Sequence, residues 1–149
     1  MTGHVEEFQA LLARMRTDFV LELPERCDRL EQAVLALHAA PENNALFQDL
    51  YRAAHSLKGL GGTHGLGVVT AICHHLENQL TESRDRGDLG DGFVSRSLAF
   101  IDLLRRVAEE GLDPRADLGG IEAVLETLRR EELESRKAGL VAESSTMMA

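Results

Sequence analysis

Residues 53–80 read AAHSLKGLGGTHGLGVVTAICHHLENQL, and the rest of the chain is interpreted outward from them. Apolar residues recur every three or four positions through the first half, as in an amphipathic helix. At about 100° per residue they share one face, which we expect to be buried. The members of this face are Leu46, Leu50, Ala53, Leu57 and Leu60. His55 falls about 160° from Leu57, so its side chain should point to solvent.

The exposed side of this helix carries an unusual set of residues around His55. The set comprises Gln48, Tyr51, Lys58, Gly59 and Gly62. Each glycine lowers helix stability by about 1 kcal/mol relative to alanine. A fold tolerates this where another molecule approaches the backbone closely. Lys58 lies three residues after His55 and can place a positive charge beside whatever the imidazole carries.

The second half of the stretch has the same pattern. Its apolar face consists of Val69, Ile72, Cys73, Leu76 and Leu80. His74 lies about 160° from Leu76 and Glu77 about 100°. If the two helices form an antiparallel hairpin across the glycine-rich residues 61–67, Glu77 can approach His55. A carboxylate that bonds one imidazole nitrogen fixes the tautomer and leaves the other nitrogen as a nucleophile.

The motif resembles that of histidine phosphotransfer domains, most closely the amino-terminal domain of chemotaxis histidine kinases. The matching residues are His55, Ser56, Leu57, Lys58, Gly59, Gly62, Gly65, His74 and Glu77. A weaker similarity of helix lengths and apolar pattern extends from Phe19 to Leu128.

The resemblance implies a role for each of these positions. His55 would be the phosphorylated histidine and Lys58 its electrostatic neighbour, while His74 and Glu77 would complete the hydrogen-bond network around the imidazole. Gly59 and Gly62 would give a receiver domain room to dock. Gln48 and Tyr51 would lie at the rim of that surface, and Gly65 would form the turn.

The implied function is that of a phosphorelay carrier without kinase activity of its own. His55 would exchange a phosphoryl group with a histidine kinase or a receiver aspartate, and pass it to a downstream receiver domain. Magnesium is expected on the receiver, and no cofactor on this chain. An alternative is an interaction module that binds or inhibits a kinase or receiver without transfer. The sequence leaves open whether the chain is free-standing or part of a larger kinase.

Composition favours one all-α domain. The chain has 149 residues, 44% of them hydrophobic and 4% aromatic, which suits helix packing rich in leucine and alanine. A net charge of −9 argues against nucleic acid and anionic membranes as partners. We found neither a signal peptide nor an apolar run near the ~18 residues of a membrane span. A cytoplasmic monomer with two buried thiols, Cys27 and Cys73, is expected.

The remaining segments predict an up-and-down four-helix bundle with one or two additional helices. A first helix covers 4–22, and Pro24 predicts either a kink or the start of a new helix. Further helices cover the His55 segment, 66–86, 92–110 and 121–134. The domain is expected to span 1–134, with a core of about 19–131 and a disordered tail over 135–149.

Specific residues should mark the ends of these helices. Asn43 or Asn44 is the expected N-cap of the His55 helix, and Asp91 that of the fourth helix. Gly87 can take the left-handed conformation that ends the third. Pro114 lies in the break between the last two helices.

Several histidines and Cys73 lie close together in sequence, which raises the alternative of a zinc-binding bundle. However, neither Cys-x-x-Cys nor His-Glu-x-x-His is present, and Cys73 points into the bundle while His74 points outward. We therefore predict no metal site. His64 is expected to pack or cap near the turn and His75 to be structural, whereas His4 and His38 are assigned no role.

Overall fold

The protein consists of five α-helices. The structure is a computed structural model that describes the backbone of residues 2–113 and 118–148, and the side chains of 3–113, 118–134, 137 and 138. The helices are α1 (Thr2–Ala39), α2 (Asn44–Thr63), α3 (Gly67–Asp85), α4 (Asp91–Glu110) and α5 (Gly119–Met148). No strand occurs among these described residues, so the predicted all-α class is confirmed.

Helices α1 to α4 form the bundle, and α5 is the additional helix. α2 and α3 form an antiparallel hairpin, α4 packs on α1 and α3, and α5 lies against α4 and α3. The core is dominated by leucine, and its largest fully buried side chain is Phe93. Of the described helices, none is both long and apolar enough to cross a bilayer.

Helix α1 is continuous through Pro24, so the second of the two alternatives, a new helix starting there, is wrong. Phe19, Leu23 and Cys27 are buried on both sides of the proline. Their packing offsets the hydrogen bond that Pro24 removes. The apolar face continues toward the N-terminus as Val5, Phe8, Leu12 and Met15, but these side chains are exposed. α1 therefore extends beyond the end of the bundle.

The rotation of α2 differs slightly from the sequence prediction. Its buried residues are Phe47, Leu50, Ala54, Leu57 and Gly61. Ala53 is exposed, and Leu46 and Leu60 are only partly buried. The centre of the buried face is shifted by about one residue because the large ring of Phe47 and the close approach at Gly61 decide which side faces the core.

The ends of α2 are formed by residues that the sequence indicated. The Asn43 side-chain oxygen accepts hydrogen bonds from the backbone N–H groups of Ala45 (3.1 Å) and Leu46 (3.4 Å), which confirms the N-cap. The glycine-rich turn is shorter than predicted, because α2 continues to Thr63. Gly65, with φ of +70°, supplies the left-handed residue of the turn.

The loop before α4 is held by a histidine to which the sequence assigned no role. His38, near the end of α1, has Nδ1 2.9 Å from the carbonyl oxygen of Leu89 and Nε2 3.5 Å from the carboxylate of Asp91. The predicted cap at Asp91 is wrong, since Gly90 is the N-cap and makes no side-chain bond. Gly87 has φ of +67°, as predicted.

The end of α5 also differs from the sequence prediction. The helix continues to Met148, through the segment that was predicted to be a disordered tail. Alanine, leucine and glutamate in this segment favour helix, even without a regular apolar pattern. Pro114 and Ala149 lie outside the described residues.

Candidate functional site

His55 lies in the middle of α2 with its ring toward solvent. The neighbouring Ala54 and Leu57 are fully buried, which anchors the backbone on both sides. The imidazole itself is 63% exposed, as the helical pattern predicted. The fold therefore presents this imidazole to solvent from an anchored helix.

Glu77 of α3 joins His55 to Lys58. Its Oε1 lies 3.0 Å from His55 Nδ1, and its Oε2 lies 2.9 Å from Lys58 Nζ. The Glu77 side chain is only 7% exposed, so its carboxylate is largely shielded from water. The predicted approach of Glu77 to His55 is confirmed.

This hydrogen bond decides which imidazole nitrogen is available for chemistry. A carboxylate only accepts, so in the neutral ring the proton is on Nδ1 and donates to Glu77. Nε2 then carries a lone pair on the solvent side. The hydrogen bond therefore leaves Nε2 as the nitrogen that an incoming molecule can reach.

A close contact between α2 and α3 brings Glu77 within reach. A Cβ added at Gly61 would lie 2.8 Å from Val69 Cβ and Cγ1, so only glycine fits there without a shift. The Thr70 hydroxyl donates to the carbonyl oxygen of Lys58 at 2.9 Å. Neither contact was predicted from the sequence, although a glycine one turn after Leu57, on the buried face of α2, indicates a close approach there.

His74 does not join the hydrogen-bond network. Its ring contacts that of His75, with centroids 5.5 Å apart, and lines a cleft of about 350 Å³ next to Arg129 of α5. Among the described residues, no hydrogen bond links His74 to His55 or Glu77. His74 and Glu77 are neighbours on α3, but Glu77 is directed toward α2 and His74 toward α5. The hydrogen-bond network around His55 is therefore formed by Glu77 and Lys58, without the predicted contribution of His74.

One side of His55 is aromatic, and two glycines lie on the other. The Tyr51 ring is nearly parallel to the imidazole, with centroids 6.3 Å apart, and Phe47 lies beyond it. Gly59 and Gly62 are exposed, and a Cβ at Gly59 would meet nothing within 4 Å. Gln48 is partly buried on the same helix. The roles of these residues in partner binding stay predictions.

The other candidate chemical groups lie apart from this site. Burial raises the pKa of Cys73 to about 12 and that of Cys27 to about 11, so both are inert buried thiols as expected. His64 forms the C-cap of α2 and stacks on Phe19 at 4.9 Å. Burial lowers the pKa of His75, and the neighbouring His74 adds to this effect. In the described part of the chain, no three potential ligands are grouped to hold a metal ion.

Comparison with known protein families matches residues 14–131 to the Hpt domain. The chain belongs to the Hpt family. Hpt domains are phosphocarriers that interact with histidine kinases and receiver domains, so membership gives this chain a phosphotransfer role in two-component signalling.

Curated relatives include chemotaxis histidine kinases. The chemotaxis protein CheA of Salmonella typhimurium is 30% identical over 125 residues, covering 79% of this Hpt chain and 18% of the relative. CheA of Bacillus subtilis is 28% identical over 113 residues, covering 72% and 17%. The sensor histidine kinase CheAY of Helicobacter pylori is 30% identical over 73 residues, covering 49% and 9%. The chain thus spans less than a fifth of the length of these relatives.

Proposed function

We propose that His55 carries a phosphoryl group between a histidine kinase or receiver aspartate and a downstream receiver domain. The observation that carries this proposal is the hydrogen bond from His55 Nδ1 to the buried carboxylate of Glu77, which leaves Nε2 exposed as a nucleophile. No ATP-binding segment is needed on this chain, because the phosphoryl group arrives from the partner.

In the forward step, Nε2 of neutral His55 attacks phosphorus in line with the bond that breaks. With a phosphorylated receiver, the N–P bond forms as the P–O bond to the aspartate breaks, and the aspartate leaves as a carboxylate. The imidazole retains its proton on Nδ1 and gains positive charge. Glu77 is placed to stabilise that charge, since it is preorganised and shielded from water.

Lys58 contributes in two ways. Its ammonium group holds the second oxygen of Glu77 at 2.9 Å, which fixes the carboxylate. It also brings a positive charge to the face of α2 that carries the phosphoryl group, where charge-assisted hydrogen bonds are strong. Lys58 therefore positions Glu77 and favours the phosphorylated state.

The docking surface is expected to include Tyr51, Gln48, Gly59 and Gly62. The two glycines leave the backbone open beside the nucleophile, and a receiver domain can approach it there. The receiver would hold the magnesium ion that neutralises charge on the transferred group.

The test is transfer of radiolabelled phosphate from panels of phosphorylated receivers and histidine kinases to wild type, His55→Gln and His74→Gln. His74 is a matched control because it is also an exposed histidine but lies outside the network. We expect acid-labile, alkali-stable label on wild type and His74→Gln, and none on His55→Gln. Label retained by His55→Gln would contradict the assignment. Receiver or kinase binding without label on any variant would indicate the alternative, an interaction module without transfer.

A further inference from the structure

The N-terminal half of α1 carries a line of exposed apolar side chains. Val5, Phe8, Leu12 and Met15 are 41–60% exposed, and we call them the α1 stripe. Leu11, beside the stripe, is 44% exposed. Such a continuous apolar surface on a protruding helix is typical of an interaction site.

The spacing of the stripe is that of a coiled coil. Steps of three, four and three separate its members, and a further step of four leads to Phe19, which is buried in the bundle. These are the a and d positions of a heptad repeat. The stripe therefore continues the core face of α1 past the point where the neighbouring helices end.

We propose that the α1 stripe pairs with the same stripe of a second copy of this chain, antiparallel, in a two-fold symmetric dimer. Phe8 would lie opposite the partner's Leu12, and Val5 opposite the partner's Met15. The two-fold axis would pass near Ala10. This register places an a residue against a d residue in every layer, which is the pairing of antiparallel coiled coils.

The bundle itself excludes the parallel arrangement. The face of α1 that carries Phe19 packs on α2 and α4. A parallel partner helix on the same face would run directly into those two helices. In the antiparallel register, the described part of the partner's α1 stays alongside the protruding half of this α1, so it meets no obstruction.

A cleft lies at the position where the end of the antiparallel partner helix would arrive. It has a volume of about 460 Å³ and is lined in part by Leu12, Arg16, Thr17, His64 and Leu112. Leu112 is 49% exposed beside it. The first turn of the partner helix would cover this cleft and the apolar surface around it.

The charges flanking the stripe favour a second copy of the chain as the occupant. Glu6 and Glu7 lie at the outer end of the helix, and Arg14 and Arg16 at the end near the bundle. In the antiparallel register, Glu6 lies within reach of the partner's Arg16 on one flank of the stripe, and Arg16 lies within reach of the partner's Glu6 by symmetry. A parallel pair would place like charges together. The charges beside the α1 stripe are thus complementary to those of a second copy in the antiparallel orientation.

The interface is small, so the dimer should be weak. The protruding part of α1 makes about 25 Å of helix. Its contact area falls in the range of transient interfaces, below about 1,200 Å² in total. Because the helix is preformed as a continuation of α1, little ordering is needed on association.

The first test measures the mass of the full chain by sedimentation equilibrium from about 10 µM to 1 mM, a range that brackets a weak dimer. We expect wild type to shift from monomer to dimer, and Leu12→Glu to remain monomeric. Leu21→Glu is the matched control, because Leu21 is 59% exposed on α1 outside the stripe and should dimerise like wild type. A monomeric wild type at 1 mM would overturn the proposal, as would equal loss of dimer in the two variants. Circular dichroism confirms that both variants are folded.

A second test measures the orientation. Phe8→Cys and Leu12→Cys are mixed and oxidised, and the antiparallel register predicts disulfides between the two variants. Disulfides within each variant would indicate a parallel pair and overturn the proposal. The native cysteines do not compete because Cys27 and Cys73 are fully buried.

Charge reversal separates specific pairing from simple apolar association. We expect Arg16→Glu to weaken the dimer at least tenfold through repulsion from the partner's Glu6. Adding Glu6→Arg to the same chain should restore it. Failure of the double variant to recover would overturn the proposed register.

Discussion

Glu77 divides its two carboxylate oxygens between His55 and Lys58, so a change at this residue affects both neighbours. Glu77→Gln retains the shape but replaces one acceptor oxygen by an NH₂ donor. Either His55 Nδ1 or Lys58 Nζ then faces a donor, and the tautomer of His55 is no longer fixed. We expect phosphoryl transfer to slow by about 10- to 100-fold, the range for groups that orient a functional histidine. Single-turnover rates measure this, and an unchanged rate would show that Glu77 does not orient the ring.

Lys58 also contributes to stability, because its partner carboxylate is nearly buried. Lys58→Met removes a charged hydrogen bond from Glu77, and we expect the free energy of unfolding to fall by about 1–3 kcal/mol. The matched comparison is Arg29→Met, which removes an ion pair with Glu25 in which both side chains are about two-thirds exposed or more. That change should cost less than about 0.5 kcal/mol. Urea denaturation distinguishes the two, and equal effects would contradict the argument from burial.

At the scale of elements, the contact between α2 and α3 depends on Gly61. Gly61→Ala would press a methyl group against Val69, and we expect it to lower the free energy of unfolding by about 1–3 kcal/mol. Gly59→Ala is the matched control, since a Cβ there meets nothing within 4 Å and should stabilise the helix by up to about 1 kcal/mol. Urea unfolding midpoints measure both changes. A Gly61→Ala variant as stable as Gly59→Ala would mean that the helices can separate at little cost.

The packing of α3 near α5 makes stability depend on pH through His75. Burial lowers the pKa of His75 from its ordinary 6.5, and His74 and Arg129 lower it further. Below about pH 6.5 the unfolded chain therefore binds a proton that the folded chain does not. The folded state therefore has its full stability above that pH. It loses stability as the pH falls toward the folded-state pKa of His75.

The corresponding measurement compares wild type with His75→Gln by urea unfolding between pH 7.5 and 5.5. The variant should lose stability less steeply on acidification. The difference in slope should be below the roughly 1.4 kcal/mol per pH unit of one full proton. Parallel curves for the two proteins would contradict the assignment to His75.

Periodicity predicted the existence and the main faces of these helices, but not their exact rotation or their neighbours. The buried face of α3 was predicted correctly because five large apolar residues define it. On α2, apolar side chains at Leu46 and Leu60 shifted the predicted face by about one residue, and Gly61 carried no hydrophobic signal. The exposure of His74 was predicted, but its neighbours were not, because they depend on α5 packing beside α3.

For the whole molecule, the stretch of α1 before the bundle should be separable from the rest. Residues 3–15 are exposed along their length, and the Hpt match begins at residue 14. Deleting residues 1–14 should change the free energy of unfolding by less than about 1 kcal/mol and leave transfer to His55 intact. The same deletion should abolish dimer formation. Sedimentation, unfolding and transfer assays on one truncated protein check all three outcomes, and loss of transfer would show that α1 supports the site.

The lengths of the helices relative to one another are not encoded in the apolar pattern. The 3–4 spacing from Val5 to Leu37 reads as one apolar face, yet its first part has no neighbour among the described helices. Burial depends on where α2 and α4 end, and this is a property of the whole bundle. The candidate site around His55 could be predicted without knowing the helix lengths. Lys58 is close to His55 in sequence, and Glu77 lies across a single turn from it.

The length of α1 also affects how the molecule diffuses. At 1.5 Å per residue, its 38 residues extend about 57 Å, whereas α2 and α4, with 20 residues each, extend about 30 Å. A globular chain of this length would have a radius of gyration near 15 Å. A rod-like projection increases friction with solvent more than it increases mass. Even a single copy should therefore elute early from a gel-filtration column calibrated with spherical standards, at the apparent size of a larger protein.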